Sequence, residues 1–349
     1  MLIKYGVGLD LSSDSFHVCF SRIDTSMHVK ISGSRKFSNA SGGFKDFWAW
    51  SEKHRKDKEI PLVFCMEASG VYHEQLAFFL NGKQQDVCIL LPNKAKKYIE
   101  SMGFKTKNDK SDAKALAQMA CERNLKLWKP PARYYAELRE MTRHHQSCQE
   151  TITSMKNQLH ANQVKHNPSK LVIRQLKQTI RLIEKQAKEM EKKIAEHIAS
   201  DEQIQARFDH ICAIKGVATL TVATVVAETF GFELFENSKQ LVSYAGYDVV
   251  ENQSGKRAGK TKISKKGNSR IRRILHLPAF NVVRPDQPAF YNFFNRNIQR
   301  HHIKMKSYVA IQRKLLTTIY ALWKTNVPFD PNYRPAGTQK IAPALPGLQ

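Results

Sequence analysis

Apolar runs of strand length alternate with helical stretches in the first part of the chain. "IKYGVGLDL", "HVCFSRI", "PLVFCME" and "DVCILLP" are short and rich in β-branched and aromatic residues, whereas "VYHEQLAFFLN" spaces its apolar positions as a helix does. This order predicts an α/β domain over residues 1–130. A helix near its end turns Ala113, Leu116, Ala117 and Ala120 inward. From about Arg133 to Ile198 the main breaker is Pro168, and Ile173, Leu176, Ile180, Ile183, Ala187, Met190 and Ile194 recur at alternating steps of three and four. That is a heptad seam. Residues 131–200 are therefore expected to form a long coiled-coil linker, its helix paired within the chain or with a second subunit.

After Ser200 the texture changes. "ICAIKGVATLTVATVVAETFG" sets a Gly-centred turn between two apolar helical stretches. This is the layout of a helix-hairpin-helix, whose turn amides and flanking lysine grip a phosphate backbone. Ala218 stands where the second turn glycine usually is, and plain helical packing accounts for the segment equally well. Residues 201–328 are expected to be mostly α-helical, and the Pro- and Gly-rich tail 329–349 to be disordered.

Charge adds a partner to this picture. The 349 residues carry 56 Lys+Arg against 31 Asp+Glu, a formal charge of +25, which concentrates polyanions at the surface and makes nucleic acid the leading partner. No apolar run approaches the roughly 18–20 residues that span a bilayer, and "MLIKYGVGLDLSS" lacks a signal-peptide layout. A cytoplasmic, nucleoid-associated protein is expected. Cys19, Cys65, Cys88, Cys121, Cys148 and Cys212 include no C-x-x-C pair and read as reduced core residues. The His-His pairs at 144–145 and 301–302 read as solvated, basic-face histidines rather than metal ligands.

Four acids form an ordered pattern. Asp10 and Glu67 each end an apolar strand-like run, and Asp109 and Asp112 sit three apart at the start of the next helix, on one face. Singly, each passes for a cap or a surface charge. Together they offer the hard oxygen ligands that Mg²⁺ prefers, and four carboxylates suffice for two ions roughly 4 Å apart, an arrangement suited to phosphodiester chemistry.

The second focus is "NQSGKRAGKTKISKKGNSRIRRILH", which holds Lys256, Arg257, Lys260, Lys262, Lys265, Lys266, Arg270, Arg272 and Arg273 and no acid. It reads as a phosphate-binding surface. Ser254 precedes Gly255 at its entrance; spacing alone makes this pair a turn, because a serine nucleophile needs a base or metal that the neighbourhood does not supply.

These stretches together resemble the insertion-sequence-110 family of transposases. The likeness runs from "YGVGLDLSSDSFHV" through "MEASGVYHEQLAFFL" and "LPNKAKKYIESMGFKTKNDKSDAKALA" to "LVSYAGYDVVENQSGKRAGKTKISKKGNSRIRRIL". The resemblance implies an RNase H/RuvC-like N-terminal domain in which Asp10, Glu67, Asp109 and Asp112 bind two Mg²⁺ ions. It also implies a C-terminal transposase domain in which Ser254 is the nucleophile that links to a DNA 5′ phosphate. A bridge (guide) RNA that selects donor and target DNA is implied as well, as is a homo-oligomer, dimer or tetramer, in which the acids of one subunit act with the serine of another. Ser13 stands where the family often has lysine, and "GYDVVENQSG" lacks the proline common before the serine.

Other classes share part of this pattern, and a resolvase-like nuclease is the main competitor. A sugar kinase or actin-like ATPase also opens on a strand ending in Asp, but "LSSDS" has no glycine-rich phosphate turn. A resolvase-like nuclease would use the same acids and cleave with water, without Ser254. A non-catalytic architectural protein would use the acids as salt-bridge partners.

Overall fold

The computed structural model describes residues 1–68, 70–103, 108–251, 253–254, 257–258 and 261–332, with the backbone alone given for residues 253, 254, 257 and 258. The chain divides into two units, Met1–Pro130 and Pro131–Gln349. The part of the expected tail from residue 333 onward lies outside the described residues.

The first unit is built on a five-stranded sheet. β1 (Leu2–Leu11) pairs antiparallel with β2 (Ser15–Asp24) and parallel with β4 (Leu62–Glu67), which is parallel to β5 (Asp86–Leu90); β3 (Val29–Ser38) closes the β2 edge. The helices are α1 (Ser41–His54), α2 (Glu74–Gly82), α3 (Pro92–Ser101) and α4 (Asp109–Glu122).

Strand alternation sorts the core into two layers. Val7 and Leu9 of β1, Val18 and Phe20 of β2, and Phe64 and Met66 of β4 pack with Phe44 and Phe47 of α1 and Leu76 and Leu80 of α2. On the other face, Val63 and Cys65 of β4 and Cys88 and Leu90 of β5 meet Ala95 of α3 and Leu116, Met119 and Ala120 of α4, while Cys19 of β2 meets Ala113 and Ala117. That face of β1 carries Gly6 and Gly8, and the α4 backbone lies directly on them. A Cβ on Gly8 would come within 2.0 Å of the Ala113 carbonyl oxygen and 2.2 Å of the Ala117 nitrogen, an approach that glycine alone permits.

The second unit begins with a helical hairpin. The single long helix expected from sequence breaks at residues 164–169, where Pro168 disfavours helix in the residue before it, and Ser169 caps the next helix by accepting from the Val172 amide. α5 (Arg133–Gln163) and α6 (Lys170–Ala199) run antiparallel, as the Tyr134–His197 stack and the His145–Glu191 (2.9 Å) and Lys156–Glu184 (2.7 Å) pairs require. The seam of α6 buries Ile180, Ala187 and Ile194, and α5 buries Leu138, Thr142, His145, Cys148 and Ile152.

Seven shorter helices follow: α7 (Glu202–Cys212), α8 (Thr219–Glu228), α9 (Ser238–Ala245), α10 (Ser269–Ile274), α11 (His276–Asn281), α12 (Pro288–His301) and α13 (Lys304–Thr325). Their core surrounds α8, which is buried from Thr221 through Glu228. Between α9 and α10 the described residues form four two-residue strands, β6 (Val249–Val250), β7 (Gln253–Ser254), β8 (Arg257–Ala258) and β9 (Lys262–Ile263). Among the described residues no helix is long and apolar enough to cross a membrane.

Candidate active site

The sheet brings the acids together by register. Leu9 pairs with Met66 across the parallel β1–β4 ladder, so Asp10 and Glu67, one residue further on, stand side by side at the carboxyl ends of adjacent strands. Alternation places both on the α4 face, two residues beyond Gly8 and Cys65. The contact of Gly8 with Ala113 brings the first turn of α4, with Asp109 and Asp112, to the same end of the sheet.

A capping box fixes that turn. The Asn108 side chain accepts from the Ser111 amide at 2.8 Å, and the Ser111 hydroxyl accepts from the Asn108 amide at 3.0 Å. The two aspartates thus lie where the helix dipole favours negative charge. Ser111 also donates to Asp112 at 3.2 Å.

Sequence reasoning missed His17. It is the cross-strand partner of Asp10, and its Nδ1 lies 3.4 Å from Asp109 Oδ2. The signal was a polar residue in an otherwise apolar strand, "FHVCF", on the same face as Cys19. Asp109 is 62% exposed and inclined toward this histidine. Among the described residues no group of three or more His, Cys, Asp or Glu side chains stands close enough to hold a metal ion. The donor chemistry, four carboxylates and no soft ligand, fits a hard divalent cation. Asp10, Glu67, Asp109 and Asp112 would hold it once their side chains closed on one point, Asp109 turning from His17 to do so.

In the second unit the basic segment forms a narrow antiparallel arm. β6 pairs with β9, and further out β7 pairs with β8, which sets Ser254 opposite Arg257. Gly255, on which the expected Ser-Gly turn rests, lies outside the described residues. The side chains of Ser254 and Arg257, and Lys256 and Lys260 entirely, lie outside the described residues. Lys262, Lys265 and Lys266 are exposed along the returning limb.

The base of the arm is tied down. Gly246 caps α9 at φ +74° and accepts from the Lys265 amide at 3.1 Å; the Ser264 amide donates to Asp248 at 2.8 Å and the Asn268 amide to Tyr244 at 2.7 Å. Beneath it lies Glu228, 1% exposed, gripped by Arg143 of α5 through two bonds of 2.7 and 2.9 Å and by the Asn268 amide group at 2.7 Å. Burial pushes this carboxyl's pKa up, but Arg143, Asn268 and the nearby Arg270 outweigh it and hold the group below its usual value. Asn268 in turn caps α10 by accepting from the Arg270 and Ile271 amides. One buried acid therefore locks α5, α8 and the start of α10 together.

The arginines of α10 are partly committed. Arg272 donates to the Ala245 carbonyl at 2.8 Å, and Arg273 pairs with Glu150. Together with His276 and Leu277 they line an open pocket of about 570 Å³. In the α7–α8 turn Gly216 is left-handed at φ +96°, and Lys215 pairs with Asp286 at 2.8 Å.

Comparison with known proteins places this architecture. A DEDD transposase model of the IS110 group matches residues 7–168, and a model described as "Transposase IS116/IS110/IS902 family" matches residues 209–295. Pilin gene-inverting proteins of Moraxella bovis and Moraxella lacunata are each 27% identical over 332 residues, spanning 94% of this chain and 98% of theirs. Thermus thermophilus RuvC is 10% identical, with a TM-score of 0.28 over 36% of this chain and 99% of its own; the same protein with a Holliday junction gives 0.25 over 33% and 90%. The two models between them cover most of the chain, each over one of the stretches that carry the acids and the arm, and the chain belongs to the IS110 family of transposases, enzymes that act on DNA.

Proposed function

We propose that the protein cuts and rejoins DNA strands in transposition of its insertion sequence, with a RuvC-like acidic centre of Asp10, Glu67, Asp109 and Asp112 and a seryl nucleophile at Ser254. The observation that carries the reading is the delivery of all four acids to one end of one sheet face by the β1–β4 register and the α4–Gly8 contact. Two Mg²⁺ ions bound there would activate the attacking oxygen and neutralise charge on the leaving one.

In the covalent step the Ser254 Oγ bonds to phosphorus and gives up its proton, while the P–O3′ bond breaks and its electron pair leaves with the 3′ oxygen as a hydroxyl. The 5′ phosphate stays esterified to the serine until a different 3′ hydroxyl attacks it. Lys256, Arg257, Lys260, Lys262, Lys265 and Lys266 hold the phosphates beside it, with Arg270, Arg272 and Arg273 at the base of the arm. A bridge RNA supplies the sequence choice, leaving the protein to grip backbone and RNA shape. The working form is a homo-oligomer, for which the α5–α6 hairpin offers a coiled-coil contact.

A nuclease that releases its product to water is the second reading. The relatives' description as gene-inverting proteins names a rearrangement, in which strands must be joined as well as cut, and this favours the recombinase. The test is metal-dependent cleavage by Glu67→Gln and Asp112→Asn proteins. Cleavage should fall by at least about a hundredfold while DNA binding persists; unchanged cleavage, or equal activity with and without Mg²⁺, would refute the acidic centre.

A further inference from the structure

The row of acids does not end at β1. Following the registers across the sheet, Asp10 pairs with His17 of β2, and His17 pairs with Lys36 of β3. Glu67, Asp10, His17 and Lys36 therefore form one line on one face, with strands about 5 Å apart, and its charge changes sign from one end to the other.

The two ends are covered differently. α4 lies over β1, β2 and β4, whereas on the same face of β3, Ser34, Lys36 and Ser38 are exposed, and so is Ile31 at 48%. The phase of α4 matters here. Leu116 and Met119 turn toward β4 and β5, Ala113 and Ala117 toward β1 and β2, and Lys110 and Lys114, about 60° further round, lie on the flank nearest β3. The same placement shows at the buried Cys19 thiol, where desolvation raises the pKa against the opposing charges of Lys114 and Lys110. An open lane results, walled by Lys110 and Lys114 of α4, bordered by Lys36, floored by Ser34 and leading to the acids.

We propose that this lane is a binding site for a single DNA strand, whose phosphates rest on Lys36, Lys110 and Lys114 as it enters the acidic centre. Resting on the function proposed above, this deepens it: the arm of the second unit would not be the only grip on substrate. Ile31 offers an apolar contact for a base, which a single strand presents and a duplex does not. His17 has a positioning role at the boundary. By pairing with Asp109 it keeps one carboxylate at the mouth of the lane until a strand arrives.

The test is site-resolved photo-crosslinking of the full-length protein. Benzoylphenylalanine replaces Ile31 in one preparation and Lys30, which pairs with Arg22 on the opposite face, in another. The probe is an end-labelled single-stranded DNA. The adduct should form from position 31 and not from position 30. Lys36→Glu with Lys110→Glu should lower it at least about tenfold, as expected when two phosphate contacts are lost. Hydrogen exchange of α4 in the double variant, unchanged from the parent, shows that the fold is kept. No adduct at position 31, equal adducts from both positions, an adduct indifferent to the double variant, or better competition by duplex DNA or by RNA would overturn the lane. Asp10→Asn separates the two claims. If it abolishes cleavage while position 31 gives no adduct, the lane fails and the acidic centre stands; if the adduct forms and cleavage survives, the lane stands and the acidic centre fails.

Discussion

The acidic centre and the serine arm are held in opposite ways. Asp10 is the last residue but one of β1 and Glu67 the last of β4, two strands covered on both faces, and α4 is pinned on β1 by backbone contact over glycine. Ser254 sits on a two-residue strand whose ladder, among the described residues, meets β8, and the arm is anchored at its base through Tyr244, Gly246, Asn268 and the buried Glu228. A metal site needs its ligands fixed relative to one another within fractions of an ångström. The nucleophile proposed at Ser254 would reach a phosphate, and later release it, from a slender ladder with a rigid root.

The sharpest way to break this contrast is at the root. Glu228→Ala removes the acid that two hydrogen bonds from Arg143 and one from Asn268 share, and since bonds to a charged group are worth about 1.5–3 kcal/mol each, the loss is expected at about 4 kcal/mol. Hydrogen exchange should rise across α8 and α10 and leave β1 and α4 unchanged. A smaller effect, about 3 kcal/mol, is expected from Gly8→Ala, because a Cβ only 2.0 Å from the Ala113 carbonyl oxygen forces the α4 backbone to shift. Here the loss of protection should fall on β1 and α4, with α8 untouched; exchange spreading through both units would mean that the two sites do not have separate supports.

The smallest effect is set by pH. The folded Glu228 carboxyl lies below its usual 4.5, so its stabilisation is complete above that pH and is lost as the pH falls through the folded-state value. Acid exchange in α8 and α10 should accelerate below about pH 4.5 in the parent. Glu228→Gln, which cannot titrate, should lack that component.

Much of the first unit was legible. The four apolar runs became β1, β2, β4 and β5, and the three-residue spacing of Asp109 and Asp112 fell on the first turn of α4. β3 was not found, because "VKISGSRKFS" is an edge strand with one face open to solvent and few apolar residues to alternate. His17 was missed for a related reason: a lone polar residue in "FHVCF" marks the position, but its pairing with Asp10 and Lys36 comes from register. The partner of the α6 seam was hidden as well. α5 buries Thr142, His145 and Cys148 where a hydrophobic pattern would look for leucine, so its inward face reads as polar. Glu228 sat inside "VVAETFG" as an acid in an apolar run, and only the fold reveals the arginine that allows it to be there.

The most direct measurement is the fate of the cut strand. The protein, purified with its co-expressed RNA, is incubated with Mg²⁺ and 3′-labelled DNA from the ends of the element, then resolved under denaturing conditions. The account predicts a labelled protein–DNA adduct in the parent that disappears in Ser254→Ala and in Asp10→Asn, with both variants still binding DNA. An adduct that survives Ser254→Ala, or cleavage by that variant at the parent's rate, would contradict it.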